Sequence, residues 1–327
     1  MERDPRHWHA QAGLRVGLGV AYLIVMARIG ATGTAQLVLV AVALVGSLCG
    51  PAARRWWTTA LPFAILAAVY DVLGLLKVTV AAGGVHVEGP YWFDKTLFGF
   101  EWQGVRLSLN ELAARYHTDV IDLVAGVAYL SYLYAVIGFA LFLAVRDGSE
   151  LGRRRTRALG WTFLGINLAG FATYLLFPVA PPWYVATHGF GPVDIHTPAN
   201  PAALVRWDRL VGVPYFARFY ANSSDVFGAM PSLHCAYPML LFWHARELRW
   251  SRLTAATAAF QALMCFSAIY LQHHYFSDAL AGMAFATAGY FLERRLSGRP
   301  LRARASADGG VTSRLPAAVA LRGQMGL

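Results

Sequence analysis

Two stretches hold residue types that could do chemistry together. Residues 228–234 read GAMPSLH, and the chain then turns apolar as CAYPMLLFW. Further on, residues 267–282 read SAIYLQHHYFSDALAG. In the first stretch His234 stands at the mouth of an apolar helix, behind a Gly–Pro–Ser turn. A helix N-terminus presents unpaired backbone N–H groups and the positive end of a dipole, and together these bind anions. In the second, His274 and Asp278 are four residues apart. If the last helix begins within that stretch, they share one face, one turn apart. A carboxylate so placed holds an imidazole in one tautomer and raises its basicity. Phosphoryl transfer through a covalent intermediate requires an imidazole nucleophile, a carboxylate to orient it and a second imidazole to move a proton. It also requires donors around the phosphate oxygens. His273 reads as a neighbour that packs or touches a headgroup. The same histidines and Asp278 are chemically able to ligate a metal. The phosphoryl scheme explains them without one, so neither metal nor organic cofactor is expected.

The elements that must position these residues are membrane helices. The chain has 327 residues, of which 57% are hydrophobic and only 14% charged. Its mean hydropathy is +0.44. A soluble domain carries about a quarter charged residues, so this composition describes an all-α integral membrane protein. Eight apolar stretches approach the length a bilayer needs. They lie near 14–31, 35–50, 59–76, 120–145, 158–177, 233–245, 253–271 and 277–293. No strand-like alternation competes with them, which leaves helices as the spanning form. The sixth is short, so the helix bearing His234 is expected to start below the membrane surface. Arginines concentrate at the N-terminus, at 51–58, 146–157 and 246–252, and after Glu293. With eight spans all five fall on one side, which the positive-inside rule makes cytoplasmic. Both termini are then cytoplasmic, and the His-bearing motifs lie on the opposite face of the membrane, the plasma or inner membrane in a bacterium. Arg153, Arg154 and Arg155 are topology determinants in this reading. The net charge of +10 belongs to topology, and no nucleic-acid partner is expected. Cys49, Cys235 and Cys265 read as small buried hydrophobes. The N-terminus lacks a cleavable leader pattern. The tail beyond 298 reads as a disordered extension that touches anionic headgroups. Asp71, inside the third stretch, is left open between a functional intramembrane charge and a solvated helix end. The expected organisation is 1–58 as N-terminal spans, 59–296 as the catalytic domain and 297–327 as the tail.

GAMPSLH followed by HHYFSD resembles the second and third signature motifs of the type-2 phosphatidic acid phosphatase superfamily. Within it the resemblance is closest to the inositol phosphorylceramide synthases. FPVAPPWY (177–184), HVEGPYWFDKTLFG (86–99), LNELAAR and DVIDLVAGVAYLSYLY are similar to segments of those synthases. The resemblance spans roughly residues 60–293. It implies a helical bundle with a six-helix core. It also implies His274 as nucleophile, Asp278 as its orienting partner and His234 as general acid and base. Ser232 and the backbone near Gly228 would cradle phosphate. Pro182, Trp183 and Tyr184, with His273, Asp94 and Lys95, would meet substrate. Two features of the broad phosphatase family are missing. Ser267 is followed by Ala268 where that family has Arg, and its Lys-and-Arg-Pro first motif is absent. Both weaken a plain phosphatase reading and leave the phosphate-binding cation open, with Lys95, Arg206 and Arg218 as candidates. The implied reaction moves a headgroup, inositol phosphate from phosphatidylinositol, to a lipid or glycan hydroxyl with release of diacylglycerol. Two alternatives stand beside it: a lipid phosphatase acting on phosphatidate or a polyprenyl diphosphate, and a non-catalytic transporter or scaffold.

Overall fold

The computed structural model describes residues 5–28, 33–48, 50–81, 84–146, 150–221 and 226–298. Cys49, the side chain of Asp71 and residues 299–327 lie outside the described residues. Eight long helices coincide with the eight apolar stretches. They are α1 (Pro5–Arg28), α2 (Thr34–Leu48), α3 (Gly50–Ala81), α6 (Asp119–Arg146), α7 (Glu150–Leu176), α11 (Leu233–Glu247), α12 (Ser251–Tyr270) and α13 (Phe276–Leu296). Among the described residues α6, α7 and α12 are long and apolar enough to cross a membrane alone; α1 and α2 hold shorter apolar runs, Val16–Arg28 and Gln36–Gly46. α11 has 15 residues, and α13 carries Asp278 and two terminal arginines. Both are packed among neighbouring helices, so close packing substitutes for a lipid-facing apolar surface.

Helices α3, α6, α7, α11, α12 and α13 pack on one another. α2 joins them through α3, and α1 joins through α2. The expected domain boundary at 58/59 falls inside α3, which runs through it without a break. The bundle core interleaves Val136 and Leu143 of α6, Phe163 and Ile166 of α7, and Tyr237 and Leu240 of α11. Outward-facing Leu141, Val145 and Leu176 are exposed, as lipid-facing positions are. Gly282 lets α13 pass against the turn before α11, because a Cβ there would collide with the Ser232 carbonyl.

The two long connections hold short elements, α4 (Glu88–Phe98), β1 (Phe100–Trp102), β2 (Val105–Leu107) and α5 (Leu109–Arg115) in the first, and α8 (Pro182–His188), α9 (Leu204–Val211) and α10 (Tyr215–Ala221) in the second. β1 and β2 pair antiparallel, with Phe100 opposite Leu107. Ser108 and Glu111 form a reciprocal capping box at the start of α5, which satisfies two otherwise orphaned donors. The Pro-Pro pair opens α8, where a missing N–H removes no helical bond. α9 is clamped to α6. Arg206 Nε donates to Asp122 Oδ1 at 2.8 Å, the Tyr270 hydroxyl donates to the same oxygen at 2.7 Å, and the Trp207 indole occupies the space a side chain at Gly126 would need.

Candidate active site

Three of the quoted segments meet through their backbones. His86 N–H donates to Pro178 O at 2.9 Å, and Ala180 N–H donates to His86 O at 3.0 Å. Val179 N–H donates to Phe227 O at 2.8 Å, and Ala229 N–H donates to Val179 O at 3.3 Å. HVEG, FPVAPPWY and GAMPSLH thus lie side by side as short parallel bridges, and the Ala229 carbonyl is fixed in place. Ser232 caps α11, its Oγ accepting the Cys235 N–H at 3.3 Å, as Ser at an N-cap does. His234 follows in the first turn. His273 and His274 lie in the connection between α12 and α13, both buried.

The His274 tautomer follows from its neighbours. Nδ1 lies 2.8 Å from Ala229 O. A carbonyl only accepts, so the proton is on Nδ1 and the lone pair on Nε2. Nε2 is 3.1 Å from His234 Nδ1, which must then be the donor between the two rings. Burial pushes His274 down to about 4, with the Ala229 carbonyl pulling the other way. The ring is therefore neutral near pH 7, the form a nucleophile needs. Burial and the nearby His274 push His273 down to about 3 against its bond to the Pro201 carbonyl. His273 Nε2 donates to that oxygen at 3.2 Å.

Asp278 does not hold His274 in the way the four-residue spacing predicts. α13 begins at Phe276, so His274 precedes the helix and the two residues share no helical face. Asp278 Oδ2 accepts the Tyr275 N–H at 2.8 Å, satisfying an orphan amide of the helix start. The same oxygen stands 3.9 Å from His274 Nδ1, too far for a hydrogen bond. Ala229 O takes the orienting position, while Asp278 keeps its carboxyl group beside the ring.

His234, His273 and His274 line a cavity of about 180 Å³ together with Gly228, Ala229, Trp183 and the tyrosines 129, 132, 220 and 237. Ser232, Asp278, Pro182, Tyr184, Asp94 and Lys95 are absent from its wall. Ser232 is fully buried, its hydroxyl used in the cap and its N–H donated to Asp278 O at 2.9 Å. With the Ala229 N–H also committed, these two amides of the turn serve packing in place of the expected phosphate cradle. Pro182 and Tyr184 are buried, and the Tyr184 hydroxyl accepts the Asp194 N–H at 3.2 Å. Asp94 anchors the start of α13 from α4, its Oδ1 accepting the Ser277 N–H at 2.8 Å. Burial raises the Asp94 carboxyl above its ordinary range against that bond. Lys95 pairs with Glu111 Oε2 at 2.9 Å and donates to the Tyr91 hydroxyl at 2.9 Å. Burial works against its charge, and these two partners raise it. Arg206 is held by Asp122, and Arg218 is exposed on α10. None of the three cation candidates reaches the cavity, and among the described residues its wall contains no Lys, Arg, Asp or Glu.

The sequence reading missed residues that the geometry singles out. Asn110 Nδ2 donates to the carbonyls of Ile269 and His274, both at 3.0 Å, and Gln272 Nε2 donates to Asn110 O at 2.8 Å. Asn110 thereby staples α5 to the histidine-bearing connection. Its signal was present in LNELAAR behind the Ser108–Glu111 cap. Tyr129 and Tyr132 come from the AYLSY run of α6, where tyrosine spacing alone gave no role.

Comparison with known proteins adds the lineage. Residues 98–292 match the family model of the PAP2 superfamily, a span that contains His234, His274 and Asp278. The phosphoinositol dihydroceramide synthase of Bacteroides thetaiotaomicron is 35% identical over 257 residues, 78% of this chain and 82% of that protein. The inositol phosphorylceramide synthase of Candida albicans is 32% identical over 181 residues, 54% of this chain and 36% of that protein. The catalytic subunit of the Saccharomyces cerevisiae inositol phosphorylceramide synthase is 31% identical over 178 residues, 54% of this chain and 43% of its own length. These two fungal proteins are thus matched over less than half their length. No solved structure matches. The chain belongs to the PAP2 superfamily, as a membrane-embedded lipid phosphotransferase of the inositol phosphorylceramide synthase-like kind.

Proposed function

We propose that this enzyme moves the inositol phosphate headgroup of phosphatidylinositol to the hydroxyl of a ceramide-type lipid through a phosphohistidine at His274, releasing diacylglycerol. The observation that carries this reading is the histidine pair. His274 Nε2 presents a lone pair 3.1 Å from His234 Nδ1, with its other nitrogen tied to Ala229 O. In the first step Nε2 attacks phosphorus, the bond to the glyceride oxygen breaks, and His234 protonates that oxygen. In the second, His234 takes the proton of the acceptor hydroxyl as its oxygen displaces the imidazole. Asp278 offsets the positive charge that the phosphorylated ring carries. In the resting pair His234 occupies the nucleophile's lone pair, so an entering phosphate must part the two rings.

The wall supports a diester donor. Tyrosines and neutral imidazoles suit a singly charged phosphodiester bearing a polyol. A phosphomonoester dianion buried there without a cation would cost far more. The acceptor class follows the Bacteroides relative, whose name specifies dihydroceramide. Gly228, Trp183 and His273 are the expected substrate-contacting residues on the wall, and the arginine distribution favours a site at the non-cytoplasmic face. The test uses purified protein in liposomes, headgroup-labelled phosphatidylinositol and dihydroceramide, with His274→Ala as control. Label moving to a new sphingolipid, with diacylglycerol released and both lost in the variant, is the expected result. Label moving only to an envelope glycan would replace the acceptor. Phosphate release from phosphatidate without phosphatidylinositol turnover would overturn the transferase reading, and function surviving His274→Ala would make the site non-catalytic.

A further inference from the structure

The proposed transfer, on which this inference rests, requires His234 to carry a positive charge before it protonates the leaving oxygen and again once it has taken the acceptor's proton. A charged imidazole in a buried site needs a partner. The groups around it come from four elements besides its own helix. Tyr129 and Tyr132 approach from α6, His273 and His274 from the α12–α13 connection, and Tyr220 of α10 touches the Tyr129 hydroxyl. Asp278 of α13 lies beyond His274, on that ring's Nδ1 side. On α11 itself, Tyr237 stacks on Tyr132 and hydrogen-bonds Asn167. No carboxylate among the described residues pairs with His234.

What faces His234 instead is aromatic surface. The Tyr129 ring lies flat against it, centroids 4.1 Å apart and planes 17° apart. The Tyr132 centroid is 4.3 Å away at 41°. The two tyrosine centroids are 6.3 Å from each other, which puts them on adjacent sides of the imidazole, with Tyr129 on its face. A ring face attracts a cation within about 6 Å of its centroid, through its quadrupole. An uncharged imidazole gains much less. We infer that the Tyr129 ring, with Tyr132 beside it, is the counter-group of the His234 imidazolium and acts as a positioning residue for the proton transfers. The contact also fixes the imidazole plane so that Nδ1 faces His274. The Tyr129 hydroxyl is 3.4 Å from His234 Nδ1, at the long limit of a hydrogen bond, so the ring face is the stronger contact.

The test grades the electron density of the ring without changing its shape. Phenylalanine and its di-, tri- and tetrafluoro forms are placed at 129, with Tyr129→Phe as the reference, so that the hydroxyl drops out of the comparison. Two quantities are read. The first is kcat for diacylglycerol release. The second is the titration midpoint of His234 in the substrate-free protein, followed by ¹⁵N-histidine NMR with His234→Gln identifying the signal. Across the series kcat is expected to fall by roughly three- to thirty-fold, with KM for the donor little changed. The His234 midpoint is expected to move to lower pH in the same order. A flat midpoint across the series would overturn the inference, as would a loss carried by KM alone. The titration needs no lipid. If the wild-type protein transfers no headgroup, the functional reading fails on its own, and the midpoint series still decides whether the ring supports the charge.

Discussion

The two nitrogens of His274 have separate partners, and this makes its chemistry predictable. The Nδ1 proton is held by Ala229 O at 2.8 Å, so attack can come only from Nε2. The midpoint near 4 sets the acid side of the rate profile. The nucleophile must be unprotonated, and a lowered midpoint keeps it so further into acid. The kcat/KM for donor should therefore hold as pH falls through 6.5 and collapse only nearer 4. A descending limb centred at 6 to 7 would contradict the assignment. Stability runs the other way in the same window. His273 and His274 are both depressed, so between 6.5 and about 4 the unfolded chain binds more protons than the folded one, and stability is lost as pH falls. Rates must be taken before unfolding, with return to neutral pH as the check. Asn110 supplies a second prediction. Its side chain satisfies the carbonyls of Ile269 and of His274, the proposed nucleophile, and it is buried. Asn110→Ala leaves those carbonyls short of a donor, a cost of roughly 1–3 kcal/mol. It should lower the melting temperature in detergent and reduce kcat about ten-fold or more. Asn110→Asp should be worse, because a carboxylate would face the two carbonyl oxygens. Wild-type kcat in either variant would remove Asn110 from the positioning set.

At the scale of elements, the start of α13 is where three separate pieces converge. Asp94 of α4 accepts from Ser277 N–H, Asn110 of α5 grips the His274 carbonyl, Ser232 donates its N–H to Asp278 O, and Gly282 removes the Cβ that would keep α13 off that turn. Gly282→Ala should therefore part α13 from the GAMPSLH turn and cut kcat by well over ten-fold. Gly165→Ala on α7, where an added Cβ meets nothing within 4 Å, should be neutral or slightly stabilising, since Ala is the better helix former by about 1 kcal/mol. Equal effects of the two on rate and melting temperature would mean the close approach is not needed. The eight long helices were legible because runs of this length and apolarity have no other use. The short elements were not. α5, α8 and α10 have seven residues each, too few to show a period, and they owe their form to docking on the bundle. The His274–Asp278 spacing was legible as a pair. Its geometry was not, because the helix starts two residues past His274, and an Asp in the first turn of a helix bonds back to the preceding amide. Lys95 and Asp94 looked like headgroup ligands since a charged pair in a membrane-side loop invites that reading. Their partners, Glu111 and Ser277, are distant enough in sequence that only the fold reveals them.

For the whole molecule, the question is which side of the membrane the cavity serves. α11 and α13 both present their N-terminal ends to the site, and α12 its C-terminal end. α4, α5 and α9 cover that same end of the bundle, through contacts to α13, α12 and α6, and α10 packs on α9. The opposite ends carry Arg146, Arg246, Arg249, Arg294 and Arg295. Part of the cavity wall is exposed on the flank of the bundle, at Leu133 and Tyr134 of α6 and Phe219 of α10, which would leave acyl chains in the bilayer while the phosphate reaches His274. If the arginine-rich ends are cytoplasmic, the headgroup chemistry takes place on the other face. Two exposed turn positions separate the alternatives, Gln103 in the β1–β2 hairpin at the site end and Arg249 between α11 and α12 at the arginine end. In a background with Cys49, Cys235 and Cys265 replaced by Ala, Gln103→Cys and Arg249→Cys are each exposed to a membrane-impermeant maleimide in sealed vesicles of known orientation. Right-side-out vesicles should label the variant at 103 and spare the one at 249 until the membrane is opened with detergent. The reverse pattern would put the histidine pair on the cytoplasmic face, and the donor phosphatidylinositol and its acceptor would then have to be drawn from the inner leaflet.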